Sequence, residues 1–190
     1  MIEIEYYKSD NNPYKNDVIE MMDEYNEEFS EFDNTIEENA KNYLISDEEK
    51  RKNTSKREAL ELYYDSSDYV IMALKENDIV GFRFVGSPEN FEESGDLRQS
   101  IPKEFHPTIR LTLAIVRKKH RGEGIWSKMV EKVEEELSKD FSEANSMSLF
   151  TTELNEPMQR AAEKKEFEEV AVIENERGED IDILAYAKRF

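Results

Sequence analysis

The densest chemistry in this chain lies in ten consecutive residues, Arg117-Lys118-Lys119-His120-Arg121-Gly122-Glu123-Gly124-Ile125-Trp126. Before them Ile109, Leu111, Leu113 and Ile115 alternate with Thr108, Arg110, Thr112 and Ala114, the pattern of a strand. After them Ile125, Met129, Val130, Val133 and Leu137 recur at helical spacing. A glycine turn that opens a helix leaves several backbone N–H groups without partners and aims them, with the positive end of the helix dipole, at one point. Gly122 and Gly124 are two of only six glycines, and without a Cβ they permit positive φ and close approach of a phosphate. Arg117, Lys118, Lys119 and Arg121 add a charge density suited to a multiply charged anion such as a nucleotide phosphate. The alternative is a solvated turn between two elements.

Other chemistries are poorly served. The glycine spacing is wrong for a dinucleotide fingerprint, the strands before it form a hairpin rather than a parallel βαβ unit, and no G-x-x-x-x-G-K-[ST] is present. With no cysteine, a disulfide framework, a zinc ribbon, a thiol nucleophile and an iron–sulfur site are excluded. His106 and His120 are the only histidines and neither has an acid at ligand spacing, so no metal is expected; His120 reads as an exposed turn residue. There is no G-x-S-x-G elbow. Arg83 and Arg110 lie inside strands, where they either face a cleft and hold a substrate carboxylate or snorkel from an edge. Glu153, just after a strand, is a candidate to accept the proton of a substrate amine.

Those residues belong to a chain of 190 residues and 22.4 kDa, which reads as a single domain over 1–190. Hydrophobic and charged residues each make up 37%, and 10 Phe with 9 Tyr supply enough aromatic mass for a core. The net charge of −19 disfavours nucleic acid and anionic membrane as partners. It is uneven: residues 1–68 hold 8 Lys/Arg and 20 Asp/Glu, net −12, whereas 103–132 hold 8 and 3, net +5. A basic island therefore sits in an acidic protein. No apolar run reaches the roughly 18 residues of a membrane span, and Met1-Ile2-Glu3-Ile4-Glu5 lacks signal-peptide character, so the expectation is a cytoplasmic protein.

The elements follow in order. Ile2–Tyr7 reads as a strand, ended by Asn11-Asn12-Pro13, and Val18, Met21, Met22, Tyr25, Phe29 and Phe32 mark one apolar face of a helix. A second helical region falls within 35–65, with capping-box spacing at Ser46-Asp47-Glu48-Glu49. Tyr69–Leu74 and Ile79–Val85 flank Lys75-Glu76-Asn77-Asp78 as a hairpin, and 86–107 is a long connection. After the basic island and its helix come a strand at Ser146–Thr152, a short helix from Pro157 to Lys165, and a hairpin of 168–174 with 180–187 around Asn175-Glu176-Arg177-Gly178. The predicted class is α/β (α+β), in the order β-α-α-β-β-β-α-β-α-β-β.

In this order, and in Val116 through Ile125, the chain resembles the GNAT acetyltransferases, whose motif is R/Q-x-x-G-x-G/A after a strand ending in Val. Arg121, Gly124 and Val116 stand in register, and Asn155-Glu156-Pro157-Met158 with Glu163-Lys164-Lys165-Glu166-Phe167 is similar to the family's post-strand Asn and E-K-x-G-F ending. The resemblance runs from about Ile2 to Tyr186. It implies a mixed, mostly antiparallel central sheet flanked by helices and acetyl-CoA as cosubstrate. Ala114, Ile115, Val116 and Asn155 would hold the pantetheine arm, and Arg121, Gly122, Glu123, Gly124, Ile125, Trp126 and Ser127 the pyrophosphate. The implied activity is N-acetyl transfer from acetyl-CoA to a primary amine, on a small molecule or peptide, by a monomer or homodimer; the alternative is a non-catalytic CoA-binding sensor or interaction protein. Three positions depart from the family: Trp126 where Gly or Ala is usual, Glu166 for the Gly before Phe, and Ala162 where many members place a Tyr acid.

Overall fold

The computed structural model describes residues 1–31, 35–88, 99–174 and 181–190, without the side chains of residues 29–31, 137 and 138. The Phe29, Phe32 and Leu137 side chains, most of the long connection and the turn at 175–178 therefore lie outside the described residues. Strands β1 (Glu3–Lys8), β2 (Tyr69–Lys75), β3 (Asp78–Gly86), β4 (Thr108–Val116), β5 (Ser146–Thr152), β6 (Glu168–Ile173) and β7 (Ile183–Arg189) form one sheet in the order β1-β2-β3-β4-β5-β7-β6. Every neighbouring pair is antiparallel except β4–β5. The predicted mixed sheet is the one found.

Between β1 and β2 lie α1 (Lys15–Tyr25), α2 (Ile36–Leu44), α3 (Glu48–Asn53) and α4 (Lys56–Asp65). The expected single helical region at 35–65 is thus three helices. Thr35 with Glu38 and Ser55 with Glu58 close reciprocal capping boxes, while Asp47 caps α3 through the Lys50 N–H without the reciprocal bond. Each box marks a new start, which is why the region breaks. After β4 come α5 (Ile125–Asp140) and α6 (Glu156–Lys164).

The sheet separates two apolar layers. On one face α5 buries Ile125, Met129, Val130 and Val133 against Ile71, Val80, Val85, Ile109 and Leu111. On the other, Val18 and Met22 of α1 and Leu60 and Tyr64 of α4 meet Met72, Phe82, Phe84, Leu113 and Ile115. Ile109, Leu111, Leu113 and Ile115 were expected on one face, yet they divide between the two. The cause is a bulge: Arg83 pairs with Ala114 and Val85 with Leu111, so two steps of β3 span three of β4. The extra residue resets the side-chain alternation beyond it.

The bulge also marks where β4 and β5 part. Their parallel pairing runs only from Thr108–Ser146 to Leu111–Leu149, although β4 continues to Val116 and β5 to Thr152. A wedge opens between them, and α5 begins at its head.

Candidate functional site

Gly122 and Gly124 adopt φ of +81° and +73°, the left-handed region that the sequence called for. A Cβ built on either would meet nothing within 4 Å, so the space above this turn is open. Lys128 N–H is the donor that reaches back to the Gly124 carbonyl, at 3.1 Å, which leaves the N–H groups of Ile125, Trp126 and Ser127 as the orphan donors of the first turn. α1, α2, α3, α4 and α6 all carry an acid in the first turn, and α5 has none. Its dipole is left unneutralised in a chain with 45 Asp and Glu. The one acid of the turn, Glu123, is drawn aside by His120, whose Nδ1 lies 2.8 Å from its Oε1. That bond, helped by Lys75 and Lys128, holds the Glu123 carboxyl below its ordinary range. His120 is itself only 8% exposed, a correction to its reading as an exposed turn residue.

The basic island is largely neutralised from within. Arg117 Nη1 donates to Glu24 Oε2 at 2.7 Å, Arg121 Nη1 lies 2.5 Å from Glu28 Oε1, and Lys118 Nζ lies 3.3 Å from Glu28 Oε2. Lys118 N–H donates to the hydroxyl of Tyr25, and the Arg121 guanidinium sits over the same ring at 5.8 Å. An open pocket of about 360 Å³, lined by Glu24, Tyr25, Glu27, Glu28 and Lys118, lies beside these pairs. What this turn offers an anion is therefore backbone donors and the dipole more than free basic side chains. Sequence reasoning missed these acidic partners, and their signal was the one-turn spacing of Glu24 and Glu28. Arg121 also donates through Nε to the Val116 carbonyl at 3.1 Å, so its head group braces the turn against the end of β4.

Ala114 and Val116 border the wedge. Arg117 N–H donates to the Val80 carbonyl, so by the alternation of an antiparallel ladder the N–H groups of Ala114 and Val116 turn away from β3, toward the side that β5 has left. Asn155 stands across the wedge, where its Oδ1 accepts from Met158 N–H at 3.3 Å and caps α6. Glu153 is exposed, and its Oε1 accepts from the Asp182 N–H at 3.2 Å. Ala162 is 0% exposed in the core layer under α5, so the position gives no access to the wedge.

The two strand arginines do not converge. Arg110 reaches the α2–α4 side, over the Phe150 ring at 5.9 Å and within the influence of Tyr63 and Tyr43; burial pulls its guanidinium down from the usual range. Arg83 reaches the α5 side, where its guanidinium lies 5.0 Å from the centroid of Trp126, and burial lowers it to about 9. Trp126 leans into the fold, against the core and Arg83, while its backbone N–H stays in the cradle. At Glu166, which replaces the family's Gly, φ is +64°: the glycine geometry persists without the glycine. Among the described residues no group of three His, Cys, Asp or Glu could hold a metal ion, and no helix is long and apolar enough to cross a membrane.

Residues 18–167 match the model of the acetyltransferase (GNAT) family. No curated protein matches the sequence. Among solved structures, an acetyltransferase of the GNAT family from Streptococcus pneumoniae superimposes with a TM-score of 0.60 at 14% identity, covering 100% of both chains. An N-acetyltransferase from Staphylococcus aureus gives 0.59 at 15% identity over 100% of this chain and 98% of that one. A streptothricin acetyltransferase candidate from Bacillus anthracis, solved with acetyl coenzyme A, gives 0.51 at 16% identity over 64% of this chain and 62% of that one.

Proposed function

The chain belongs to the GNAT family of acetyltransferases, and from that premise we propose that it transfers an acetyl group from acetyl-CoA to a primary amine. The observation that carries this reading is the turn at Gly122–Ser127: two glycines at positive φ, open space above them, orphan N–H groups and no acid in the first helical turn. These features fit a pyrophosphate. The N–H groups of Ala114 and Val116 supply the ladder for the pantetheine arm along β4, and the amide of Asn155 borders the arm from the far wall, its Oδ1 being committed to the helix cap.

The bound thioester supplies the acyl group. As the amine nitrogen bonds to the carbonyl carbon, the carbon–sulfur bond breaks, and the amine proton leaves with the thiolate. Holding amine and carbonyl in line provides much of the rate, and a backbone N–H near Val116 stabilises the charge that grows on the carbonyl oxygen. A thiol with a pKa near 8.5 is a competent leaving group at neutral pH, so turnover does not depend on an acid at the enclosed position 162. Glu153 is the candidate to relay the amine proton. The acceptor approaches from the α2–α4 face, where Arg110 favours amines that also bear a carboxylate. The test is a screen of amines with acetyl-CoA while free thiol is followed: turnover of any amine supports the reading. CoA binding without turnover of any amine would replace it with the sensor reading.

A further inference from the structure

Glu123 is the one acid of the turn that opens α5, and its position is a poor one for a site that is to hold an anion. Gly124 caps the helix, its carbonyl accepting from Lys128 N–H, so Glu123 stands one residue before the cap, between two glycines at φ +81° and +73°. The orphan N–H groups of Ile125, Trp126 and Ser127 begin two residues later. A carboxylate free to move here would compete with a phosphate for those donors and repel it by its charge. Arg117, Lys118 and Arg121 are paired with Glu24 and Glu28, so they leave little charge to offset such an acid.

The structure gives the carboxylate another place to go. His120 Nδ1 lies 2.8 Å from Glu123 Oε1, and the ring is 8% exposed, at the end of the short 3-10 turn Lys118–His120. The main chain fixes the base of that ring: His120 N–H donates to the Arg117 carbonyl at 2.8 Å, and the His120 carbonyl accepts from Glu123 N–H at 3.4 Å. The segment from His120 to Glu123 is thus closed twice, once through the backbone and once through the side chains. An ionised carboxylate only accepts, so Nδ1 carries the hydrogen whether the ring is neutral or cationic. The other charged groups acting on Glu123 are Lys75 at the end of β2 and Lys128 of α5, and His120 outweighs both.

We infer that His120 is a positioning residue of the phosphate cradle: by holding the Glu123 carboxylate aside, it keeps the N–H groups of Ile125, Trp126 and Ser127 open to a phosphate-bearing ligand. The inference rests on the CoA reading above and concerns affinity for the cosubstrate. His120 acts through Glu123 and takes no part in the acyl transfer.

Calorimetric titration of CoA into wild type, His120→Ala, Glu123→Gln and the double variant forms a double-mutant cycle that tests it. His120→Ala should weaken CoA binding by roughly 5- to 10-fold, the effect of one unit charge released near a polyanion in a partly solvated site. In the Glu123→Gln background the same substitution should cost less than about twofold, because the released side chain is then neutral. The loss in His120→Ala should also shrink as salt rises from about 0.05 to 0.5 M. His120→Asn, which places an amide donor near the position of Nδ1, should retain most of the affinity. A residue that only packed the turn would lose affinity equally in both backgrounds, at every salt concentration. His120→Leu, which fills the space without a donor, carries the cycle if the alanine variant does not fold. Full affinity in His120→Ala, or an equal loss in the two backgrounds, overturns the inference and leaves the cradle reading standing. Failure of CoA to bind the wild type overturns both.

Discussion

At the scale of single residues the turn that opens α5 depends on backbone conformations that side chains tolerate poorly. Gly124→Val places a β-branched residue at φ +73° and puts a side chain into the open space above the cradle. The strain should cost about 1–3 kcal/mol, read by urea denaturation, and ligand-induced thermal stabilisation by CoA should vanish while the far-ultraviolet circular dichroism is retained. Glu166 is the converse case. It holds φ +64° with its side chain in solvent, so Glu166→Gly should stabilise the protein by roughly 0.5–1 kcal/mol, the relief of left-handed strain partly offset by the extra freedom of glycine when unfolded. An unchanged or lower denaturation midpoint would show that the turn relaxes around the glutamate. Ala162→Tyr, which would restore the residue common in the family, should destabilise by about 1–3 kcal/mol, because the methyl group is enclosed in the core. The sequence displayed Gly124 as in register with a pattern and Glu166 and Ala162 as departures from it. It did not display which of them are absorbed by the backbone and which by the core.

At the scale of elements, legibility follows the range of the interactions that decide each feature. Local turn chemistry was readable: the strand limits at Thr108 and Ser146, the hairpin turn whose Glu76 and Asn77 take φ of 56° and 68°, and the glycines opening α5. The β4 bulge was not, because the strict alternation from Ile109 to Ile115 is compatible with one face, and only the register with β3 inserts the extra residue. Nor was the docking of α1 on the basic island, since Glu24 and Glu28 are distant in sequence from Arg117 and Arg121. That contact has a pH signature. Burial alone would raise the Glu28 carboxyl, but hydrogen bonds and charge from Arg121 and Lys118 outweigh it and hold it below the ordinary carboxylate range. A depressed folded-state pKa contributes stability that is present above the unfolded value and is lost as pH falls through the folded value. Glu28→Gln should therefore lower stability at neutral pH and flatten the acid limb of the stability curve below the ordinary range of a glutamate. An acid limb identical to that of the wild type would show that the pair is solvent-screened.

At the scale of the whole molecule a charge of −19 surrounds the turn proposed to hold a polyanion. Backbone donors at a helix start are the arrangement least dependent on net charge, and Glu24, Glu27 and Glu28 line a pocket of the opposite sign beside Lys118. For cationic amines, kcat/KM should fall as ionic strength rises; a salt-independent value would mean that the acceptor meets none of this field. The central claim, that Gly122–Ser127 is a CoA pyrophosphate cradle, is tested most directly by titrating CoA into the wild type and Gly124→Val and reading melting temperature alongside binding heat. A CoA cradle at this turn gives single-site binding to the wild type, with about 2.7 kcal/mol of added stability when CoA stands at 100 times its Kd, and neither signal in the variant. Equal affinity in the two proteins, or no binding to the wild type at millimolar CoA, would contradict it.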